Sequence, residues 1–331
     1  MTNANHTVTM ITPLRRVLVV VVAVVAVLVP GTPAAAYANA FFHTQSGGNR
    51  GADVLAIQHL LTHNGHAVTA DGVFSSATTT AVRAFQSARG LGVDGIVGPA
   101  TWTALVPQIS QGASGPAVRA LQVELNEKRR LALTVNGVFD AALTTAVRNF
   151  QSHAGIGVDG VVGPTTWKNL VWHYGYPDMA AGFCDQDPDG NGTANWATAA
   201  GVAQLEQAAR TFAGTGQGQV PLGDAGFEHG GTIPGHASHA IGMDIDIWPI
   251  RTDNAQCTAG RITWQSATYD RAATRALAQA VRSAAPGHVA LIFFNDPVLI
   301  SEGLTTQYAN HDNHLHVRYC ERVHPNSLYA C

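Results

Sequence analysis

Charge is scarce in this sequence. Only 12% of its 331 residues are Asp, Glu, Lys or Arg, and 19 basic against 22 acidic side chains leave a formal net charge of -3. Such a chain lacks the basic surface that nucleic acid or an anionic membrane requires. Cysteine is confined to Cys184, Cys257, Cys320 and Cys331, and the absence of any C-x-x-C pair argues against a structural zinc knuckle. An even number instead predicts two disulfides in an oxidising compartment, with three pairings open. An apolar stretch long enough to span a membrane is also missing. Val17 to Val29 has 13 residues, whereas a bilayer needs about 20. Arg15 and Arg16 precede this stretch, Pro30 and Gly31 break it, and Ala36-Tyr37-Ala38 follows, the pattern of an export signal spanning residues 1–38. The mature protein is therefore expected to be soluble and secreted. No feature calls for an oligomer, so a monomer is expected.

What the sequence has is core material, repetition and histidine. Apolar residues make up 46%, enough to exclude a disordered chain, and the length suits roughly two domains or more. Self-comparison shows three segments recurring at a constant offset. Gly72-Val73-Phe74 returns as Gly137-Val138-Phe139, and Thr79-Thr80-Ala81-Val82-Arg83-x-Phe85-Gln86 returns as Thr144-Thr145-Ala146-Val147-Arg148-x-Phe150-Gln151. Val93-Asp94-Gly95-x-Val97-Gly98-Pro99-x-Thr101-Trp102 returns as Val158-Asp159-Gly160-x-Val162-Gly163-Pro164-x-Thr166-Trp167. Each copy reads as three short helices. Val54, Ile57, Leu60 and Leu61 share one helical face. Ser75 or Ser76 caps a second helix, with Val82 and Phe85 inward. Gly98-Pro99 opens a third, because proline at the first helical position forfeits no hydrogen bond. Asp71-Gly72 and Asn136-Gly137 are turns, and the aromatics are core.

These motifs resemble the three-helix peptidoglycan-binding module of secreted wall hydrolases. The resemblance implies one module over residues 47–107, a second over 112–171, and peptidoglycan as the partner. It does not identify contact residues.

The remainder, residues 172–331, differs in character. Asp185 to Gly192 is acidic and turn-rich; it resembles a calcium loop only faintly, since Trp196 stands where the bidentate Glu should be. A solvated loop is the expectation. Residues 196–213 are Ala-rich and helical, with Leu205 and Ala208 on the buried side. Histidines then concentrate: His229, His236 and His239 before Asp244 and Asp246, and His311, His314 and His316 near the end.

Gly242 to Trp248 alternates polar and apolar residues, the period of a half-buried strand. Asp244 and Asp246 take one face and Ile245 and Ile247 the other. His314-Leu315-His316-Val317 alternates the same way. Two neighbouring strands of this kind bring carboxylates and imidazoles together. Clustered carboxylates repel and lose hydration, a difficulty that a divalent cation removes. Two imidazoles, one carboxylate and an open position form the ligand set of a catalytic zinc. Such an ion lowers the pKa of its water from 15.7 to about 7 and polarises a carbonyl. A lone histidine would favour a bland hydrogen-bonded reading; this concentration favours a metal.

Ser238-His239-x-x-Gly242-x-x-x-Asp246 followed by His314-x-His316 is similar to the D-Ala-D-Ala metallopeptidase and hedgehog-like superfamily. Gly235-His236-x-Ser238-His239 with His311-Asp312-x-His314-x-His316-Val317-Arg318 resembles the penicillin-insensitive murein endopeptidases in particular, and Ile292 to Pro297 looks like a strand of that family. The resemblance implies an α+β zinc peptidase domain with an antiparallel sheet after the two all-α modules. It implies one zinc ion held by His239, Asp246 and His316, with His314 as general base or oxyanion support and His311 and His236 lining the site. Asp244, and less directly Asp312, would support a ligand, and Ser238 would orient its loop. The activity implied is hydrolysis of peptide cross-links in peptidoglycan. A zinc D-Ala-D-Ala carboxypeptidase shares the ligand pattern, and a wall-binding protein without catalysis is the alternative from another class.

Overall fold

The computed structural model describes residues 40–186 and 193–331. The expected export signal lies outside the described residues, as does most of the acidic loop. Six helices form the two repeats: α1 (Ala52–His63), α2 (Ser76–Ala88), α3 (Pro99–Leu105), α4 (Pro116–Arg129), α5 (Ala141–His153) and α6 (Pro164–Trp172). Their boundaries follow local chemistry. The Ser75 hydroxyl accepts from Thr78 N–H, and the Asp140 carboxylate accepts from Leu143 N–H, each satisfying an orphan donor of a helical first turn. Pro99, Pro116 and Pro164 open α3, α4 and α6.

The recurring glutamines have a shared use. Gln58 Oε1 accepts from the backbone N–H groups of Asp71 and Gly72, while its Nε2 donates to Asp71 Oδ1. Gln122 makes the corresponding bonds to Gly137 and Asn136, and Gln86 and Gln151 clamp the turns at Gly95 and Gly160. Gly72 and Gly137 have φ of 71° and 74°, a region that suits glycine. The expected core aromatics are buried: Phe85, Trp102, Phe150 and Trp167. Each tryptophan donates its indole N–H to a backbone carbonyl, of His43 and Pro107 respectively.

The repeats share one core. α1 packs against α4, and between them Lys128 Nζ meets Asp53 Oδ1 at 3.0 Å with both side chains buried. Burial and the charge of Asp53 push the neighbouring Glu124 carboxyl well above its ordinary pKa.

The rest of the chain is α+β. In order come β1 (Phe183–Asp185), α7 (Ala199–Ala213), β2 (Val220–Leu222), β3 (Asp244–Ile247), α8 (Arg271–Ala284), β4 (Val289–Phe293), α9 (Pro297–Ser301) and β5 (Leu315–Tyr319). The sheet order is β1-β2-β3-β5-β4; β2, β3, β5 and β4 pair antiparallel, and β1 adds to β2 in parallel. Ile245, Ile247, Leu315 and Val317 face helices α7 and α8, and with Leu205, Ala208, Leu277 and Val281 they form the second core. The stretch from Ile292 to Pro297 is strand only as far as Phe293; Asp296 caps α9 through Val298 N–H. Disulfides join Cys184 to Cys257 and Cys320 to Cys331.

Repeats and α+β domain are packed together. Arg50 donates to the Ala284 carbonyl and to Gln207, and His43 Nδ1 lies 2.8 Å from Glu321 Oε1. Gly51 approaches α7 so closely that a Cβ there would lie 2.6 Å from that of Ala203.

Candidate metal centre

The register of two strands builds the site. Asp246 stands directly opposite His316, and Asp244 opposite Arg318. With Ile245 and Val317 committed to the core, period-2 alternation turns both carboxylates and His316 to the other face. The third element is the loop from Phe227 to Gly242. It carries His239 at φ 69°, a conformation unusual for a non-glycine residue. This loop delivers His239 to the mouth of β3.

Three atoms converge there. His239 Nε2 lies 3.3 Å from His316 Nδ1 and 3.5 Å from Asp246 Oδ1, and His316 Nδ1 lies 3.0 Å from Asp246 Oδ1. Zinc bound to nitrogen and oxygen at 2.0–2.2 Å in a tetrahedron sets its ligand atoms about 3.4 Å apart. The observed triangle therefore has the dimensions of one face of such a site. All three residues are buried. Asp246 Oδ1, although close to His316, accepts no hydrogen bond of normal geometry.

Outer contacts fix which nitrogens face inward. His239 Nδ1 donates to the Ala225 carbonyl at 2.8 Å, and His316 Nε2 donates to Asp244 Oδ1 at 2.8 Å. The lone pairs of His239 Nε2 and His316 Nδ1 are thus directed at Asp246, the orientation that metal-ligating histidines receive from such partners. Asp244 is itself anchored. Arg318 Nε donates to its Oδ1 at 2.7 Å and Tyr329 Oη to its Oδ2 at 2.6 Å. Burial would raise Asp244, but His316, Tyr329 and Arg318 outweigh it and hold the carboxyl at about 2. Burial opposes charge on His316 too, yet Asp244 and Asp246 raise it to about 9, so without a cation a proton stands on Nδ1 toward Asp246, and the Nδ1 lone pair becomes available only when a metal replaces that proton. The centre attracts positive charge strongly.

The other expected residues surround this triangle. His236 Nδ1 lies 3.9 Å from Asp246 Oδ2, and its Nε2 lies 3.3 Å from Asp224 Oδ2. His314 Nε2 lies 3.8 Å from Asp246 Oδ2, while its Nδ1 donates to Asn313. Burial lowers His314 to about 4, so its imidazole is neutral at pH 7. His311 donates Nδ1–H to the Ala309 carbonyl, and its ring is tilted against that of His314 with centroids 4.5 Å apart. His236, His239, Asp246, His311, His314 and His316 together line a cavity of about 770 Å³. Ser238 lines it as well.

Two residues stand elsewhere. Asp312 holds Trp264 and Asn295 and supports no member of the triangle. His229, adjacent in sequence to the site histidines, packs instead against His153 of the second repeat, ring centroids 4.8 Å apart. The loop reverses between Gly230 and Gly235, both at positive φ, which separates His229 from His236 and His239.

No sequence motif assigns a role to Arg318, Tyr329 or Asp224. Arg318 had a signal, since it continues the alternating face of His314 and His316. Tyr329 had none: it reaches Asp244 because the Cys320–Cys331 disulfide folds the last residues back.

Comparison with known proteins bears on both halves. Residues 50–105 and 114–170 match the peptidoglycan binding domain family, and residues 190–292 match the penicillin-insensitive murein endopeptidase family. The chain thus carries two repeats of the peptidoglycan-binding family, followed by a segment that matches the murein endopeptidase family. It is 45% identical over 65 residues, 19% of its length, to an uncharacterized protein of Kitasatospora aureofaciens, of which it covers 55%. It is 34% identical over 112 residues, 30% of its length, to the N-acetylmuramoyl-L-alanine amidase CwlM of Mycobacterium tuberculosis, of which it covers 28%. It is 30% identical over 99 residues, 29% of its length, to the zinc D-Ala-D-Ala carboxypeptidase of Streptomyces albus G, of which it covers 38%. The chain thus spans about half or less of the length of each of these relatives.

Proposed function

We propose that this protein is a secreted, zinc-dependent peptidase that hydrolyses peptide cross-links of peptidoglycan, held to the wall by its two N-terminal repeats. The observation that carries the reading is the triangle of His239 Nε2, His316 Nδ1 and Asp246 Oδ1, with edges of 3.0 to 3.5 Å, open to a large cavity. Its donor set and spacing fit zinc, and both inward lone pairs are fixed by outer hydrogen bonds. When bound, zinc supplies a polarised carbonyl and a water acidic enough to be deprotonated near pH 7. The protein's own groups do the rest. Neutral His314, its Nδ1–H committed to Asn313, presents the Nε2 lone pair, accepts a proton from the attacking water and, once protonated, supports the developing oxyanion. His311 and His236 flank the same hollow and orient the peptide or pass a proton to the leaving amine. Tyr308 stacks on Phe293 at 4.5 Å between ring centroids and gives the cavity an apolar wall.

The matched families support peptidoglycan as the substrate class. Secretion rests on the pattern in residues 1–38. A cavity of about 770 Å³ leaves room for chain on both sides of a scissile bond, which favours an endopeptidase. The likeness to a zinc D-Ala-D-Ala carboxypeptidase favours the second reading, removal of a terminal residue. Digestion of purified cross-linked muropeptide dimers beside a free pentapeptide separates the two. Monomers released from dimers are expected; release of terminal D-Ala alone would give the carboxypeptidase.

A further inference from the structure

A second group of imidazoles lies at the seam between the second repeat and the peptidase domain. His153 is the last residue of α5 and His173 caps α6, while Glu228 and His229 open the loop that later supplies His239. The ligand nitrogens of His153, His173 and His229 all lie within 4.8 Å of one another. The Glu228 carboxylate completes the group. His153 Nε2 and His173 Nε2 are 3.5 Å apart, and they lie 3.3 and 3.6 Å from Glu228 Oε1. This is again a triangle with edges near the 3.4 Å or so of a tetrahedral zinc face. His173 is buried and donates Nδ1–H to the Tyr174 carbonyl at 2.6 Å, so its Nε2 lone pair is turned into the cluster.

A positive group already sits on this triangle. Arg129 Nη1 lies 2.9 Å from His153 Nε2 and 3.3 Å from His173 Nε2, and it also bonds Glu228 Oε1. One such nitrogen has two protons for three acceptors. Its side chain is a quarter exposed, so it can withdraw to solvent.

We propose that His153, His173, His229 and Glu228 form a second zinc site, distinct from the catalytic centre, which Arg129 covers until the ion displaces it. Because the ligands come from both halves of the chain, the ion pins the second repeat to the start of the His239 loop. Its role is structural: four protein ligands leave no open position for substrate.

The test is the zinc content of the full-length chain, loaded with zinc and freed of excess, measured by elemental analysis for the wild type and for His153→Ala, His229→Ala and His239→Ala. His153→Ala and His229→Ala are each expected to lose one equivalent per chain that His239→Ala retains. Arg129→Met removes the competing cation and is expected to hold that equivalent roughly two- to fivefold more tightly against a chelator; this variant leaves every ligand in place and guards against misfolding of the alanine variants. Zinc content unchanged by both His153→Ala and His229→Ala, or affinity unaltered or weakened in Arg129→Met, would overturn the proposal. The equivalent lost with His153 is counted apart from that lost with His239, so failure here and failure of the catalytic reading are distinguishable.

Discussion

At the scale of single residues, the geometry of the centre is set by which atoms face one another across β3 and β5. Asp246 and His316 are directly opposed, and His239 closes the triangle from a loop. Replacing His239 or His316 by Ala is expected to abolish muropeptide hydrolysis and retention of the catalytic metal while leaving co-sedimentation with isolated walls intact. Hydrolysis that survives in either variant would remove those residues from the ligand set. Asp244 holds the inward lone pair of His316 in place without touching the triangle's centre. Asp244→Asn should weaken metal affinity about 10- to 100-fold, the usual cost of losing such a partner. Tyr329→Phe, which removes a single donor to Asp244, should cost less; chelator competition reads both. Of the proposed ligands, Asp246 and His316 were legible from alternation along β3 and β5, and His239 from a family resemblance. Tyr329 was not, because a disulfide whose pairing the sequence left open brings it back across many residues.

At the scale of elements, helices and strands follow their local signals closely. Ser75, Asp140 and the prolines at 99, 116 and 164 mark helix starts. Alternation at 242–248 and 314–317 marks the two central strands. What the sequence did not disclose is how elements distant in the chain meet. His229 illustrates this: proximity to His236 suggests one cluster, but a glycine-rich reversal carries it to the second repeat. Glu127 is another case. It lies on α4, and burial followed by the charge of Glu206 on α7 pushes its carboxyl up to about 7. A carboxyl that holds its proton more tightly when folded destabilises the fold as pH rises from its ordinary value near 4.5 through about 7. Glu127→Gln should therefore raise thermal stability at pH 8 relative to the wild type, by at most about 3 kcal/mol, and leave it almost unchanged at pH 4. Equal melting curves for the two proteins at both pH values would contradict the assignment.

At the scale of the whole molecule, the repeats and the α+β domain are packed together through Arg50, His43 and the close approach of Gly51 to α7. Removing residues 47–171 is expected to weaken action on whole walls more than on soluble muropeptides. It also strips partners from Gln207 and Ala284, so the remaining domain should melt at a lower temperature. Equal losses on walls and soluble fragments would refute the anchoring role. The modular order was readable from the repeat, whereas the seam was not, since nothing local announces which surfaces of two modules will meet. The central claim is that one ion, held by His239, Asp246 and His316, enables peptide hydrolysis. Its most direct measurement is the release of monomers from cross-linked muropeptide dimers before and after chelation, and again after zinc is restored. The account predicts turnover that vanishes with the metal and returns with zinc, but does not return in His316→Ala. Undiminished turnover by the metal-stripped chain would contradict it.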